Sequence, residues 1–230
     1  EVAEHGGISS AMPHKRNPVG CAVALAASTR LPGLVAAFVT AMVQADVHWL
    51  DGREVSASPR QVLKRQLARL ADAGMAAYVG TELEFIVFND TFEDAWRAGY
   101  RDMDPANLYN VDYSILGGSR VEPLLRRIRL DMAAAGMVVE SAKGECNLGQ
   151  HEIAFRYTDA LTTCDQHVIY KTGSKEIASA MGQSLTFMSK FDQREGNSCH
   201  IHLSFRGADG SMVMADATDE QGLSALGRAF

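Results

Sequence analysis

Two glutamates stand two residues apart inside an otherwise apolar, alternating run, Tyr78-Val79-Gly80-Thr81-Glu82-Leu83-Glu84-Phe85-Ile86-Val87-Phe88. Alternation with a period of two marks a strand, so Glu82 and Glu84 share one face while Leu83, Phe85 and Val87 share the other. Burying an unpaired carboxylate is costly, so the acidic face must meet solvent, cations or a polar ligand. That constraint predicts a sheet with one apolar face closed by helices and one acidic face left open for chemistry.

The chain after residue 45 alternates short strands with amphipathic helices. Residues 47–50 and 54–56 around Asp51-Gly52 predict a hairpin, because Asp-Gly supplies the positive φ angles of a tight turn. Ser58-Pro59-Arg60-Gln61 predicts a helix start with Gln61 reaching back to Ser58, followed by an apolar stripe of Val62, Leu63, Leu67 and Leu70 that Gly74 ends. Ser119 and Glu122 predict a second capped start, with Pro123 in the first turn of a helix running to Gly136. Strands are expected at 137–141, 151–157 and 199–205, and a longer helix at 159–180. In the last strand His200, His202 and Ser204 fall on one face and Cys199, Ile201, Leu203 and Phe205 on the other. The fold class expected is α+β, an antiparallel curved sheet with helices packed behind it.

Bulk properties narrow the partners. A net charge of −6 argues against non-specific binding to nucleic acid or to an anionic membrane, both of which need clustered Lys and Arg. The apolar run 21–43 is interrupted by Arg30 and Pro32-Gly33, which reads as a buried helix rather than a membrane span. Cys21, Cys146, Cys164 and Cys199 form no CxxC pair, so a reducing cytoplasm is the default. The opening Glu1-Val2-Ala3 has no basic region or cleavage pattern, so no targeting segment is expected.

Four glutamates carry the chemistry. Glu145 and Glu152 flank the Gly-containing turn Cys146-Asn147-Leu148-Gly149-Gln150-His151, which can fold both carboxylates back toward Glu82 and Glu84. A hard divalent cation takes several oxygen ligands, and four convergent carboxylates supply them. His200 and His202 would add nitrogen ligands or phosphate contacts.

GTELEF at 80–85, GECNLGQHEI at 144–153 and FMSKFDQREGNSCHIHLSF at 187–205, in that order, resemble the catalytic motifs of the glutamine synthetase family. The resemblance implies a glutamine synthetase-like catalytic core over residues 45–230, incomplete at both ends. It also implies an ATP-dependent ligase that joins ammonia or another amine to the γ-carboxyl of glutamate through γ-glutamyl phosphate, using two Mg²⁺ or Mn²⁺ ions. By the same resemblance Glu84, Glu145 and Glu152 hold one metal, and Glu82 with His200 holds part of the second. His202 and Ser204 would face the nucleotide, Gly196 would lie near bound glutamate, and Glu145 would help deprotonate the incoming ammonium. The implied partners are ATP, glutamate, an amine and further copies of the chain.

The first 44 residues carry another resemblance. SSAMPHKRNPVGCAVALAASTRLPGLVA is similar to the signature loop and following helix of the fumarase/aspartase lyase superfamily, nearest its 3-carboxy-cis,cis-muconate cycloisomerase branch. It implies that Ser9 acts near an abstracted proton while Lys15 and Asn17 bind substrate carboxylates. Two unrelated signatures therefore meet near residue 44 without a linker, which predicts a joined or shortened chain: a loop-helix fragment at 1–44 ahead of a truncated ligase core at 45–230. The alternatives to ligase activity are a lyase or cycloisomerase, or a non-catalytic metal-binding fragment.

Overall fold

A computed structural model describes Gly7–Ile8, Arg16–Asn17 and residues 45–229. Contacts divide the chain into two compact units, Glu1–Ala45 and Asp46–Phe230. In the first, β1 (Gly7–Ile8) pairs antiparallel with β2 (Arg16–Asn17), Gly7 opposite Asn17 and Ile8 opposite Arg16. Ser9, Lys15 and the helix expected within 21–43 lie outside the described residues, and of Asn17 only the backbone is described. No helix among the described residues is long and apolar enough to cross a membrane.

The second unit opens with the expected turn. His48 bridges Glu54, and Gly52 holds the positive φ of 86° that a tight reversal needs. Helix α1 (Pro59–Asp72) begins at its proline, but the expected cap between Ser58 and Gln61 does not form. The Ser58 N–H that Gln61 would satisfy already donates to the Val55 carbonyl at 2.9 Å, and Gln61 turns inward and is buried. Arg60 instead fixes the helix, gripping both carboxylate oxygens of Asp165 at 3.0 Å and also meeting Asp46. Of the apolar stripe, Leu63, Leu67 and Leu70 are half-buried and Val62 is exposed.

Gly74, at φ 73°, ends α1 and releases β3 (Met75–Phe88), the strand on which the sheet is built. On one side β3 pairs with β5 (Gln150–Phe155) and β6 (Thr158–Asp159); on the other it pairs with β7 (Ser184–Thr186) and β8 (Cys199–Gly207). Strand β4 (Val139–Gly144) adds outside β5, and all of these pairings are antiparallel. The β4–β5 ladder contains a bulge: Val139 faces Phe155 and Ser141 faces Ala154, so Glu140 is one residue too many. Strand β4 thus starts two residues later than the alternation of 137–141 suggests.

Helices close the odd-numbered face. Leu83, Phe85, Val87 and Ile153 pack against Val121, Leu124, Leu125, Ile128 and Met132 of α3 (Ile115–Ala134) and against Tyr170, Ile177 and Ala178 of α4 (Ala160–Ala180). Each such fully buried side chain contributes about 1.5–3 kcal/mol through removal of apolar surface from water. Short α2 (Phe92–Arg97) and α5 (Ala225–Ala229) complete the unit.

Helix α3 corrects the expected start at Ser119. Its cap is Ser114, whose hydroxyl accepts from the Gly117 N–H at 3.1 Å, so Pro123 lies in the helix interior. Ser119 donates to the Ile115 carbonyl, and Glu122 pairs with Arg129 at 2.6 Å rather than turning back to a cap. In β8, Ile201 and Leu203 share a face as the alternation predicts, and they are 68% and 39% exposed.

Candidate metal centre

Register alone brings the acidic side chains together. Glu84 lies opposite Glu152 across β3 and β5, and directly opposed residues of an antiparallel pair share a face. Glu145 reaches the same place through the β4–β5 turn, where its N–H donates to the Gln150 carbonyl at 2.9 Å. That turn needs a glycine. Gly149 has φ 65°, and a Cβ there would stand 2.5 Å from the Val87 carbonyl oxygen.

Glu84, Glu145 and Glu152 each offer an oxygen within 4.8 Å of the others, with Glu84 and Glu152 buried and Glu145 half-buried. Burial pushes the Glu152 carboxyl above its usual value; Lys143 pulls it back, while Glu82 and Glu145 add to the rise. Buried carboxylates this close repel one another unless a cation or a proton neutralises them. Three convergent hard oxygens fit Mg²⁺ or Mn²⁺, which favour carboxylate ligands.

A second cluster lies beside the first. On β8, His200 sits opposite Glu82, with its Nδ1 3.1 Å from Oε2, and the His202 Nε2 is 3.2 Å from Oε1. Partial burial works to raise the Glu82 carboxyl, but contacts with His200 and His202 outweigh it and hold the group below its usual value. The five expected ligands therefore fall into two adjoining groups, Glu84–Glu145–Glu152 and Glu82–His200. His202, expected at the nucleotide, meets Glu82, and Ser204 lies further along β8 opposite Tyr78. Gly196 approaches closely: a Cβ there would be 2.3 Å from the Ser189 carbonyl oxygen.

Several participants escape the motif reading. Gln150 Nε2 lies 2.9 Å from Glu84 Oε2, 2.9 Å from the Gly196 carbonyl and 3.0 Å from Asn197 Oδ1, tying the first cluster to the 187–198 loop. The Ser198 N–H donates to the same Glu84 oxygen at 2.9 Å. Lys143 donates to Glu145 and lies 3.5 Å from Glu152. A lysine two residues before Glu145 was the available signal, but the bulge in β4 conceals which face it takes.

Residues 56–230 match the family described as glutamine synthetase, catalytic domain. Gamma-glutamylethanolamide synthetase GlnA4 of Streptomyces coelicolor is 68% identical over 177 residues, covering 77% of this chain and 38% of that protein. The glutamate–isopropylamine ligase of a Pseudomonas species is 32% identical over 192 residues, covering 83% of this chain and 42% of that protein. A solved structure described as apo GmaS without ligand superposes with a TM-score of 0.69 at 32% identity, covering 78% of this chain and 41% of that one. The chain spans about two fifths of the length of these relatives. The lyase resemblance of residues 1–44 has no counterpart among the proteins named here, and the family match starts at residue 56. Matched motifs, shared fold and the carboxylate cluster agree: the chain belongs to the glutamine synthetase family through its catalytic domain.

Proposed function

We propose that this chain supplies the metal-binding part of an ATP-dependent glutamate–amine ligase, and that the convergence of Glu84, Glu145 and Glu152 is the feature that carries the reading. Glu84, Glu145 and Glu152 would hold one Mg²⁺ or Mn²⁺, and Glu82 with His200 part of a second. Bound there, the cations would neutralise charge on the phosphate passing from ATP to the γ-carboxyl of glutamate. Glu145, half-buried in the same cluster, would accept a proton from the incoming ammonium, and the neutral amine so freed would attack the γ-glutamyl phosphate and displace phosphate. His202 and Ser204 would turn toward the nucleotide and Gly196 toward glutamate.

Similarity to the ethanolamide synthetase and the isopropylamine ligase supports a primary alkylamine, with ethanolamine first, as the acceptor. Titration of Mn²⁺ followed calorimetrically, with and without ATP, tests the metal reading. Binding is expected for the unaltered chain and is expected to be lost in Glu84→Ala and Glu145→Ala; binding that survives both substitutions would refute the assignment. Mass spectrometry of mixtures with ATP, glutamate and either ethanolamine, isopropylamine or ammonia tests the acceptor, and a preference for ammonia would overturn it.

A further inference from the structure

Lys143 faces Glu152 across the β4–β5 ladder, on the same side of the sheet as Glu82 and Glu84. Its Nζ donates to Glu145 and lies 3.5 Å from Glu152, so one ammonium bridges two of the three clustered carboxylates. Burial works against its charge, yet the hydrogen bond to Glu145 and the fields of Glu152 and Glu145 prevail and hold the ammonium above its ordinary value.

An aromatic ring already adjoins the ammonium in this position. The Tyr113 ring presents its face to the same ammonium, 5.1 Å from the ring centre. Tyr113 adopts φ 53°, a left-handed conformation that an L residue keeps only where its surroundings enforce it. Here its N–H donates to the Gly144 carbonyl at 3.3 Å, next to Lys143 in the chain. Beside the ring opens a cleft of about 310 Å³ whose lining includes Tyr113, Ser114, Glu122, Arg129 and Lys143. Glu122 and Arg129 are paired with each other in it. The ammonium therefore has both a room to move into and an aromatic face to rest on.

We propose that Lys143 is a resident counter-ion of the carboxylate cluster, bridging Glu145 and Glu152 while no dication is bound and withdrawing onto Tyr113 and the adjoining cleft when one binds. This role rests on the metal reading above. An ammonium and a dication compete for the same oxygens, because they crowd each other and repel as like charges. Lys143 thus offsets part of the negative charge of the metal-free fold at its most acidic point and sets how much dication is needed to load it.

The test titrates Mn²⁺ into the chain, into Lys143→Met and into Lys143→Arg, and records the melting temperature of each in EDTA. Lys143→Met is expected to bind Mn²⁺ more tightly, on the order of tenfold, once the competing like charge is gone. Its metal-free form is expected to melt lower, by about 2–4 °C for each kcal/mol lost. Lys143→Arg retains the charge and is expected to hold the wild-type melting temperature without gaining Mn²⁺ affinity. Unchanged or weaker Mn²⁺ binding by Lys143→Met, with binding by the unaltered chain intact, overturns the counter-ion role and leaves the metal centre standing. An unchanged melting temperature in EDTA overturns it as well. Absence of Mn²⁺ binding by both proteins removes the metal centre and the counter-ion role together.

Discussion

His151 and Glu152 are neighbours in the chain but face opposite sides of β5, and the two sides treat a charge differently. Glu152 points to the acidic face, where Lys143 offers a partner. His151 is fully buried on the other side, its Nε2 3.3 Å from Asn107 Nδ2 and its ring near Phe85. Burial is the largest influence on it and depresses its pKa to about 4. An unfolded chain takes up that proton near the ordinary imidazole value of 6.5, while the native chain resists until about 4. The stability that neutral His151 represents is therefore present above pH 6.5 and is lost as pH falls from 6.5 to 4, by roughly 3 kcal/mol in full. Urea unfolding of the chain and of His151→Gln across this window should show a steeper acid loss for the unaltered chain. Parallel pH dependences would contradict the assignment. Gln150, one residue earlier, is a different case: its polar contacts to Glu84, Gly196 and Asn197 are side-chain events that no periodicity announces.

Helix α3 shows where an element's sequence and its packing disagree. Gly117 and Gly118 are adjacent, and intrinsic helix propensity alone makes Gly→Ala favourable at both by about 1 kcal/mol. A Cβ at Gly117 would lie 2.4 Å from Val111 Cγ1 and 2.6 Å from its Cβ, whereas one at Gly118 meets nothing within 4 Å. Overpacking of about 1–3 kcal/mol outweighs the propensity gain at the first site only. Gly117→Ala should therefore lower the denaturation midpoint and Gly118→Ala raise it; a rise in both would show that Val111 yields. The expected start at Ser119 failed for a related reason. Ser119-x-x-Glu122 has the form of a capping box, but Ser114 provides a cap a turn earlier and the helix carries Pro123 inside it. The start of α4 falls within a residue of the expected 159, and there Asp159 accepts from the Thr162 N–H at 3.0 Å.

Across the whole molecule, the acidic face could be read in advance because Glu82, Glu84 and Glu152 sit in strands whose alternation is unbroken, and Gly149 marks the turn that returns Glu145 to them. The apolar side of β8 could not, since alternation says which residues share a face but not whether anything covers it. Lys143 was concealed by the extra residue in β4. With a period of two, one additional residue inverts the parity of everything after it. Were Glu140 paired in register with Ala154 rather than bulged, Ala142 would stand opposite Glu152, and Lys143 would take the place opposite His151 that Gly144 now holds. A Cβ at Gly144 would lie 2.3 Å from the Val111 carbonyl oxygen, so a lysine cannot occupy that place as the chain stands. Deleting Glu140 removes the bulge yet leaves Lys143 opposite Glu152, so the deletion variant should keep its Mn²⁺ binding in a calorimetric titration, and loss of binding would contradict this register; the exposed substitution Glu140→Ala should change stability by no more than about 0.5 kcal/mol. By leaving one residue out of the pairing, the bulge keeps the cation on the acidic side of the sheet.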